Sequence, residues 1–175
     1  MNVSKRVMGA LLALAVAGGG ATYLSFGGAE QIAEHEGYRL VAYPDPGTGG
    51  EPWTICRGHT RGVYRGMRAT PEQCDLWYAQ DLLEAELVVQ RAVRVPMKQG
   101  EYDAATSFVF NVGGPKFRAS TLLRKLNAGD RKGSCNEYPK WKYANKKVLK
   151  GLVVRRTEEQ AMCLRSGPYV YRPSS

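Results

Sequence analysis

The chain has 175 residues, room for one compact domain plus a short targeting segment. A hydrophobic fraction of 43% excludes wholesale disorder. With 25 Lys and Arg against 16 Asp and Glu, the net charge is +9; this suits a polyanionic partner such as nucleic acid, anionic lipid or an envelope polymer, and serves plain solubility equally well.

The N-terminus carries Lys5 and Arg6 ahead of an uncharged stretch from Val7 to Ala29. Its 23 residues, as a helix rising ~1.5 Å per residue, would reach across a bilayer core of roughly 30 Å. Positive charge before a span keeps the short N-terminus in the cytoplasm. The span is weak, because 12 of the 23 residues are Gly or Ala, including Gly18-Gly19-Gly20, and small side chains bury little apolar area. Two readings stay open. One is a cleaved signal peptide with its apolar core at Val7–Ala17 and a processing site at Ala15-Val16-Ala17. The other is an uncleaved anchor, marginal enough to leave the bilayer. The chain is therefore divided into a signal-anchor segment, 1–29, and a folded domain, 30–175.

A short helix is predicted over 30–36, ending at Gly37. Tyr38 to Tyr43 reads as a strand, Pro44 to Pro52 as a turn-rich loop, and Trp53 to Cys56 as a second strand closing a hairpin. Thr70-Pro71-Glu72-Gln73 is a helix start, with Thr as N-cap and Gln completing a capping box. That helix should run to about Arg94, ahead of Pro96. Further helices are predicted over Glu101–Val112, Ser120–Ala128, Arg131 to about Tyr138, and Val153–Leu164. The fold class is α+β, mainly helical: a small β-hairpin lobe, a long connecting helix and a helical C-terminal lobe, preceded by the signal-anchor helix. A cleft is expected where the lobes meet.

Cysteines stand at 56, 74, 135 and 163, with no Cys-x-x-Cys pair and only His35 and His59 beside them. A zinc site is not expected, nor any other metal or cofactor. Two disulfides are expected if the domain reaches an oxidising compartment, and four thiols if it does not. Of three connectivities, Cys56–Cys74 with Cys135–Cys163 keeps each pair within one half of the chain.

Glu36 falls at a helix end and Asp45 just past a strand end. Glycoside hydrolysis needs a protonated acid on the leaving oxygen and a second group to activate water, and two carboxylates in unlike environments can divide those roles. Thr54 offers a hydroxyl for the water. Spacing alone is a weak signal, since most such pairs are solvated surface charges.

The wider pattern is more specific. Glu36-Gly37-x-Arg39-Leu40-x-x-Tyr43-x-Asp45, then Trp53-Thr54-Ile55 and Gly58-His59-Thr60, resembles the phage-type lysozymes of glycoside hydrolase family 24. Phe108-Val109-Phe110-Asn111-Val112-Gly113, Ser120-Thr121-Leu122-Leu123 and Gly151–Arg156 continue the likeness, which spans roughly residues 30–165. The resemblance implies a lysozyme-like fold and a muramidase cutting the β-1,4 bond between N-acetylmuramic acid and N-acetylglucosamine with inversion. Glu36 would be the general acid, Asp45 would direct the attacking water, and Thr54 would complete the triad. Eight residues separate Asp45 from Thr54, where the family more often has five; the extra ones fall in the 47–52 loop, and Glu51 is a distant substitute for Asp45.

Around these, Asn111 resembles a sugar-contacting amide, an amide capping a turn being the alternative, and Trp53, Trp77 and Trp141 are candidates to stack on sugar. His59 is either a general base or, as favoured here, the partner of Asp81 in a brace. Arg155 is expected to pair with Glu36, with Arg156 the alternative. His35 is expected to be exposed or membrane-facing.

A weakly apolar start on such a domain resembles the signal-anchor-release endolysins. That likeness implies export by the host Sec translocon, a single-pass stay at the host inner membrane with the N-terminus cytoplasmic, and release to the periplasm. Six residues separate Ala29 from Glu36, so an embedded span would pin the catalytic helix at the bilayer. No cysteine lies in 1–55, which leaves refolding of the first helix as the route to activity. The expected partners are peptidoglycan glycan strands, the inner membrane and the translocon; the chain is expected to be a monomer that binds no nucleic acid. The rivals are a lytic transglycosylase and a non-catalytic peptidoglycan-binding module.

Overall fold

A computed structural model of the chain describes residues 3, 5–44, 49–144, 146–165 and 167–173. It is a mainly helical α+β structure with three separate two-stranded antiparallel sheets. Contacts divide it into two compact units: residues 1–22 with 30–83, and residues 23–29 with 84–175.

In the first unit, helix α1 covers Lys5–Ala17 and buries one stripe, Val7, Leu11 and Ala15, at the i, i+4 spacing of a single helical face. Its end is set by the three glycines. Gly20 N–H donates to Ala15 O at 2.9 Å and Gly19 N–H to Val16 O at 2.9 Å, while Gly19 takes a left-handed φ of 72°. Those two bonds around a positive-φ glycine form a Schellman stop. In this structure the stretch from Val7 to Ala29 is therefore divided between two helices. Among the described residues, no helix is long and apolar enough to cross a membrane.

Helix α2 covers Phe26–Glu34, earlier at both ends than the predicted 30–36. Ser25 is its N-cap, its Oγ accepting from Gly28 N–H at 2.9 Å. The helix tightens at its end: His35 N–H donates to Ile32 O and Glu36 N–H to Ala33 O, both at 3.2 Å. Strand β1, Arg39–Tyr43, then pairs with β2, Thr54–Cys56, in the predicted hairpin, with Arg39 opposite Cys56, Tyr43 opposite Thr54 and a register shift between. Ile55, Cys56, Val63 and Cys74 form a small core, on which Tyr38, Ala42, Trp53, Met67, Ala69 and Trp77 pack.

Helix α3, Pro71–Ala92, contributes residues to both units. Both halves of its predicted capping box are present. Thr70 N–H donates to Gln73 Oε1 at 2.8 Å, and Gln73 N–H to Thr70 Oγ1 at 3.2 Å.

The second unit is built round α4, Gln99–Val112, which is buried from Glu101 to Val109. A helix covered on all sides is the centre of its unit. Phe108 is its hub, meeting Phe117, Tyr138 and Trp141 edge-on at centroid distances of 6.3, 5.5 and 5.0 Å. Helices α5 (Gly114–Arg118), α6 (Thr121–Asn127), α7 (Arg131–Cys135) and α8 (Lys150–Cys163) follow, with a 3₁₀ turn at Tyr138–Lys140. The predicted helix to Tyr138 thus ends early at Cys135, and the last helix begins three residues before Val153. Strands β3 (Met97–Lys98) and β6 (Tyr169–Tyr171) pair, as do β4 (Tyr143–Ala144) and β5 (Lys147–Val148). No strand was predicted at any of these, because two or three residues are too few to show a period.

Disulfides join Cys56 to Cys74 and Cys135 to Cys163, one in each unit. The second closes a separation of 28 residues, for which loop-closure entropy gives about 3–4 kcal/mol. The Cys135→Ser, Cys163→Ser double variant should therefore lose about that much stability in urea unfolding under oxidising conditions. An unchanged midpoint would mean that the cross-link adds nothing to the unit.

Candidate active site

Glu36 follows directly on the last turn of α2 and is half-buried. Two features of the next turn define its surroundings. Cys56 and Gly58 both have positive φ, 58° and 88°. This doubles the chain back so that Ile55 and His59 exchange backbone hydrogen bonds of 2.9 and 3.0 Å. The turn brings Gly58 against Glu36: a Cβ at position 58 would stand 3.2 Å from Glu36 Oε2. The φ favours glycine here, and a side chain would also crowd the carboxylate.

Between them sits Arg57, buried at 7% exposure. Its Nη1 donates to Ala33 O at 3.4 Å, a carbonyl in the last turn of α2. Its guanidinium lies 5.0 Å from the Tyr38 ring centroid and 5.6 Å from that of Tyr78. One cation therefore ties the end of the helix that precedes Glu36 to the turn that borders it. Sequence reasoning passed over Arg57. A single basic residue between Cys56 and Gly58 has no pattern, and only its burial marks it out.

Thr54 is buried at 8% exposure and stands opposite Tyr43, at the end of the strand pair where the chain leaves β1 for the loop carrying Asp45. Asp45 itself lies outside the described residues. Glu51, its distant substitute, is exposed, and its Oε2 accepts from Trp53 N–H at 3.3 Å. Trp53 is half-buried on the small core, so much of its ring is committed to packing.

His59 is buried. Its Nδ1 lies 2.9 and 3.1 Å from the two Asp81 carboxylate oxygens, and its Nε2 lies 3.1 Å from Arg61 O. Both ring nitrogens face acceptors, so neither presents a lone pair to a substrate. Trp77 stacks on the imidazole at 5.0 Å and 5°, which makes the group a brace between the hairpin and α3. His35 is half-buried.

Asn111 and Arg155 belong to the second unit. Arg155 donates to Glu159 Oε1 at 3.4 Å and to Ser107 O at 3.2 Å. Arg156 meets Glu159 Oε2 at 3.0 Å and donates to Asn111 Oδ1; Ser107 Oγ donates to Glu159 at 2.8 Å. Asn111 is exposed, its amide oriented by a fully buried arginine. Burial pushes the Glu159 carboxyl up, with both arginines opposing, and pushes the Arg156 guanidinium down, with Glu159 opposing.

A second polar group in this unit was not singled out in the sequence. Tyr23 and Leu24 N–H donate to Glu86 Oε1 at 2.8 and 3.0 Å. Ser25 N–H donates to Asp103 Oδ1 at 3.0 Å and its Oγ to Oδ2 at 2.6 Å. Gln99 Nε2 donates to Tyr23 O and to Asp103, both at 2.8 Å. Burial pushes the Asp103 carboxyl above the ordinary aspartate value, against the Ser25 hydrogen bonds. Gly28 packs so closely that a Cβ there would stand 2.7 Å from Asp103 Cγ.

The sequence model of the phage lysozyme family matches residues 33–159. The SAR-endolysin of Pseudomonas phage phiKMV is 36% identical over 166 residues, covering 93% of each chain, an extent that must take in part of the N-terminal segment. Among solved structures, the muramidase domain of SpmX from Asticaccaulis excentricus aligns with a TM-score of 0.74 at 33% identity, over 82% of this chain and 98% of that one. The active form of the P1 phage endolysin Lyz aligns with a TM-score of 0.74 at 26% identity, over 94% and 96%.

Gly58→Ala should cost about 1 kcal/mol or more of stability through its φ. It should lower wall hydrolysis by about 100-fold, by displacing the Glu36 carboxylate. Thermal melts and turbidity loss on purified peptidoglycan separate the two effects; a variant with wild-type turnover would show that Glu36 needs no such space.

Proposed function

The chain belongs to the phage lysozyme family, whose members are glycosidases of peptidoglycan, and on that premise we propose that it is an endolysin muramidase. It hydrolyses the β-1,4 bond between N-acetylmuramic acid and N-acetylglucosamine with inversion, and Glu36 is its general acid. The observation that carries this reading is the Glu36 carboxylate seated against a bare Gly58, on the family motif, at a helix end tied down by Arg57.

Glu36 gives its proton to the glycosidic oxygen as the bond to the anomeric carbon breaks. Water attacks that carbon from the opposite face, Asp45 takes the proton that the water sheds, and Thr54 holds the water in line. A hydrolysed strand gains one water, whereas a transglycosylase closes an anhydro ring and gains none. Glu36→Gln should cut turbidity loss of permeabilised Gram-negative cells by about 10²–10⁴-fold, and wild-type fragments should carry the mass of added water. Anhydro fragments would turn the reading to a lytic transglycosylase. Undiminished lysis by Glu36→Gln would turn it to a binding module.

The chain is further proposed to be exported by the host Sec translocon, held inactive as a single-pass protein of the inner membrane, and released to the periplasm. The SAR-endolysin relatives support this, as does the contact of Tyr23–Gly28 with Glu86 and Asp103. Those donors lie inside the stretch read as the span, so a bilayer that holds the span withholds them from the two acids.

Gly28→Ala tests the release step. The added methyl collides with Asp103, whereas the same change at Gly27 finds only Ser25 Oγ at 3.9 Å. Both variants raise the hydrophobicity and helix propensity of the span equally. Gly28→Ala should delay lysis and lower the activity of the released protein, and Gly27→Ala should affect only residence in the membrane. Equal effects of the two would remove the docked segment from the account.

A further inference from the structure

The second unit carries a concavity of about 440 Å³ lined by Arg91, Ala92, Arg94, Arg118, Leu123, Arg124 and Asn127, and the geometry points to a binding site for the phosphate of an anionic phospholipid headgroup. Four arginines line it, with no lysine and no acid. Among the described residues, none of the four forms an ion pair. Elsewhere in the unit basic side chains find carboxylates: Lys125 and Lys140 both meet Glu137, at 2.6 and 2.9 Å. Four guanidiniums gathered without a counter-charge repel one another, and a bound anion relieves that repulsion.

The walls are braced. Asn127 Oδ1 accepts from Arg94 N–H at 2.8 Å and its Nδ2 donates to Ala92 O at 3.0 Å, pinning the end of α3 to α6. Arg118 Nη1 folds back to 2.9 Å from where a Gly114 Cβ would stand. Forked guanidiniums on such a frame match the paired oxygens of a phosphate better than ammonium groups do.

Three features select the lipid among phosphate bearers. Four positive charges exceed what one free phosphate balances, and they suit the dense negative charge of an anionic leaflet. Ala92 and Leu123 offer apolar contact that a glycerol backbone can use and inorganic phosphate cannot. Among the described residues no aromatic ring lines the concavity, so nucleic acid bases find nothing there to stack on.

The test is co-sedimentation of the full-length protein with phosphatidylcholine vesicles, with and without phosphatidylglycerol. The R91Q/R94Q/R118Q/R124Q variant removes the site, and R65Q/K132Q/K147Q/K150Q removes the same charge from other exposed positions. The wild type and the second variant should prefer phosphatidylglycerol vesicles, and the first should bind them about tenfold or more weakly while hydrolysing purified wall at the wild-type rate. Equal loss in both variants would assign binding to net charge and overturn the site. Inorganic phosphate or wall fragments shifting the arginine resonances, with no vesicle preference, would overturn the lipid as its source. Replacing the four arginines by lysine keeps the charge and should restore only part of the binding; full restoration would overturn the role of the guanidinium fork. Wall hydrolysis is read separately, so failure here leaves the muramidase reading untouched, and the reverse.

Discussion

The bond on which most of the structure depends is the one between Ser25 and Asp103. Ser25 does two jobs at once, capping α2 through Gly28 N–H and donating from its backbone and hydroxyl to a buried carboxylate. A carboxylate without such donors would be an unpaired charge in a packed interior, which costs far more than a missing contact. The start of α2 is thereby fixed in register, and so is its length, since Arg57 holds the Ala33 carbonyl in the last turn. Glu36 follows the helix end that Arg57 holds, beside Gly58.

The two arginine clusters of the second unit illustrate opposite uses of one side chain. Arg155 and Arg156 are buried around Glu159, with one donor of the first on Ser107 O and one of the second on Asn111. One buried carboxylate partly balances the two charges, and Arg156 orients an exposed amide. Among the described residues, Arg91, Arg94, Arg118 and Arg124 meet no carboxylate, and all four are exposed. A net charge of +9 does not distinguish the two sets, because composition counts charges without saying which are already paired.

Legibility in the sequence followed the range of the interactions involved. The capping box at Thr70 and Gln73 is local and was read to the residue. Helices with a sustained period, such as α4 and α6, were read to within two residues of their ends. The family motif singles out Glu36 and Thr54 as candidates, the second of them on the short hairpin. What escaped were groups whose meaning lies in a distant partner: Arg57 on α2, Glu86 under Tyr23 and Leu24, and Asp103 under Ser25. An acid on a helix looks the same in sequence whether it is solvated or buried. The one clue was that Asp103 sits among Tyr102, Ala104 and Ala105, all of them buried. Asp45 lies outside the described residues, and its proposed role comes from the family motif.

The glycines of the N-terminal segment show why a stretch that is weak as the proposed span still fits the folded protein. As a span, Val7–Ala29 is weakened by six glycines, each contributing almost no apolar area and lowering helix propensity by about 1 kcal/mol relative to alanine. In the folded chain two of these residues are required. Gly19 accepts a left-handed φ to close α1, and Gly28 leaves room for Asp103. Substituting leucine at these positions would strengthen the membrane form and exclude the folded one. At Gly19 and Gly28 the weakness of the proposed span is therefore tied to the fold. It is the same chemical fact as the fit of the segment in the protein, seen in a different solvent.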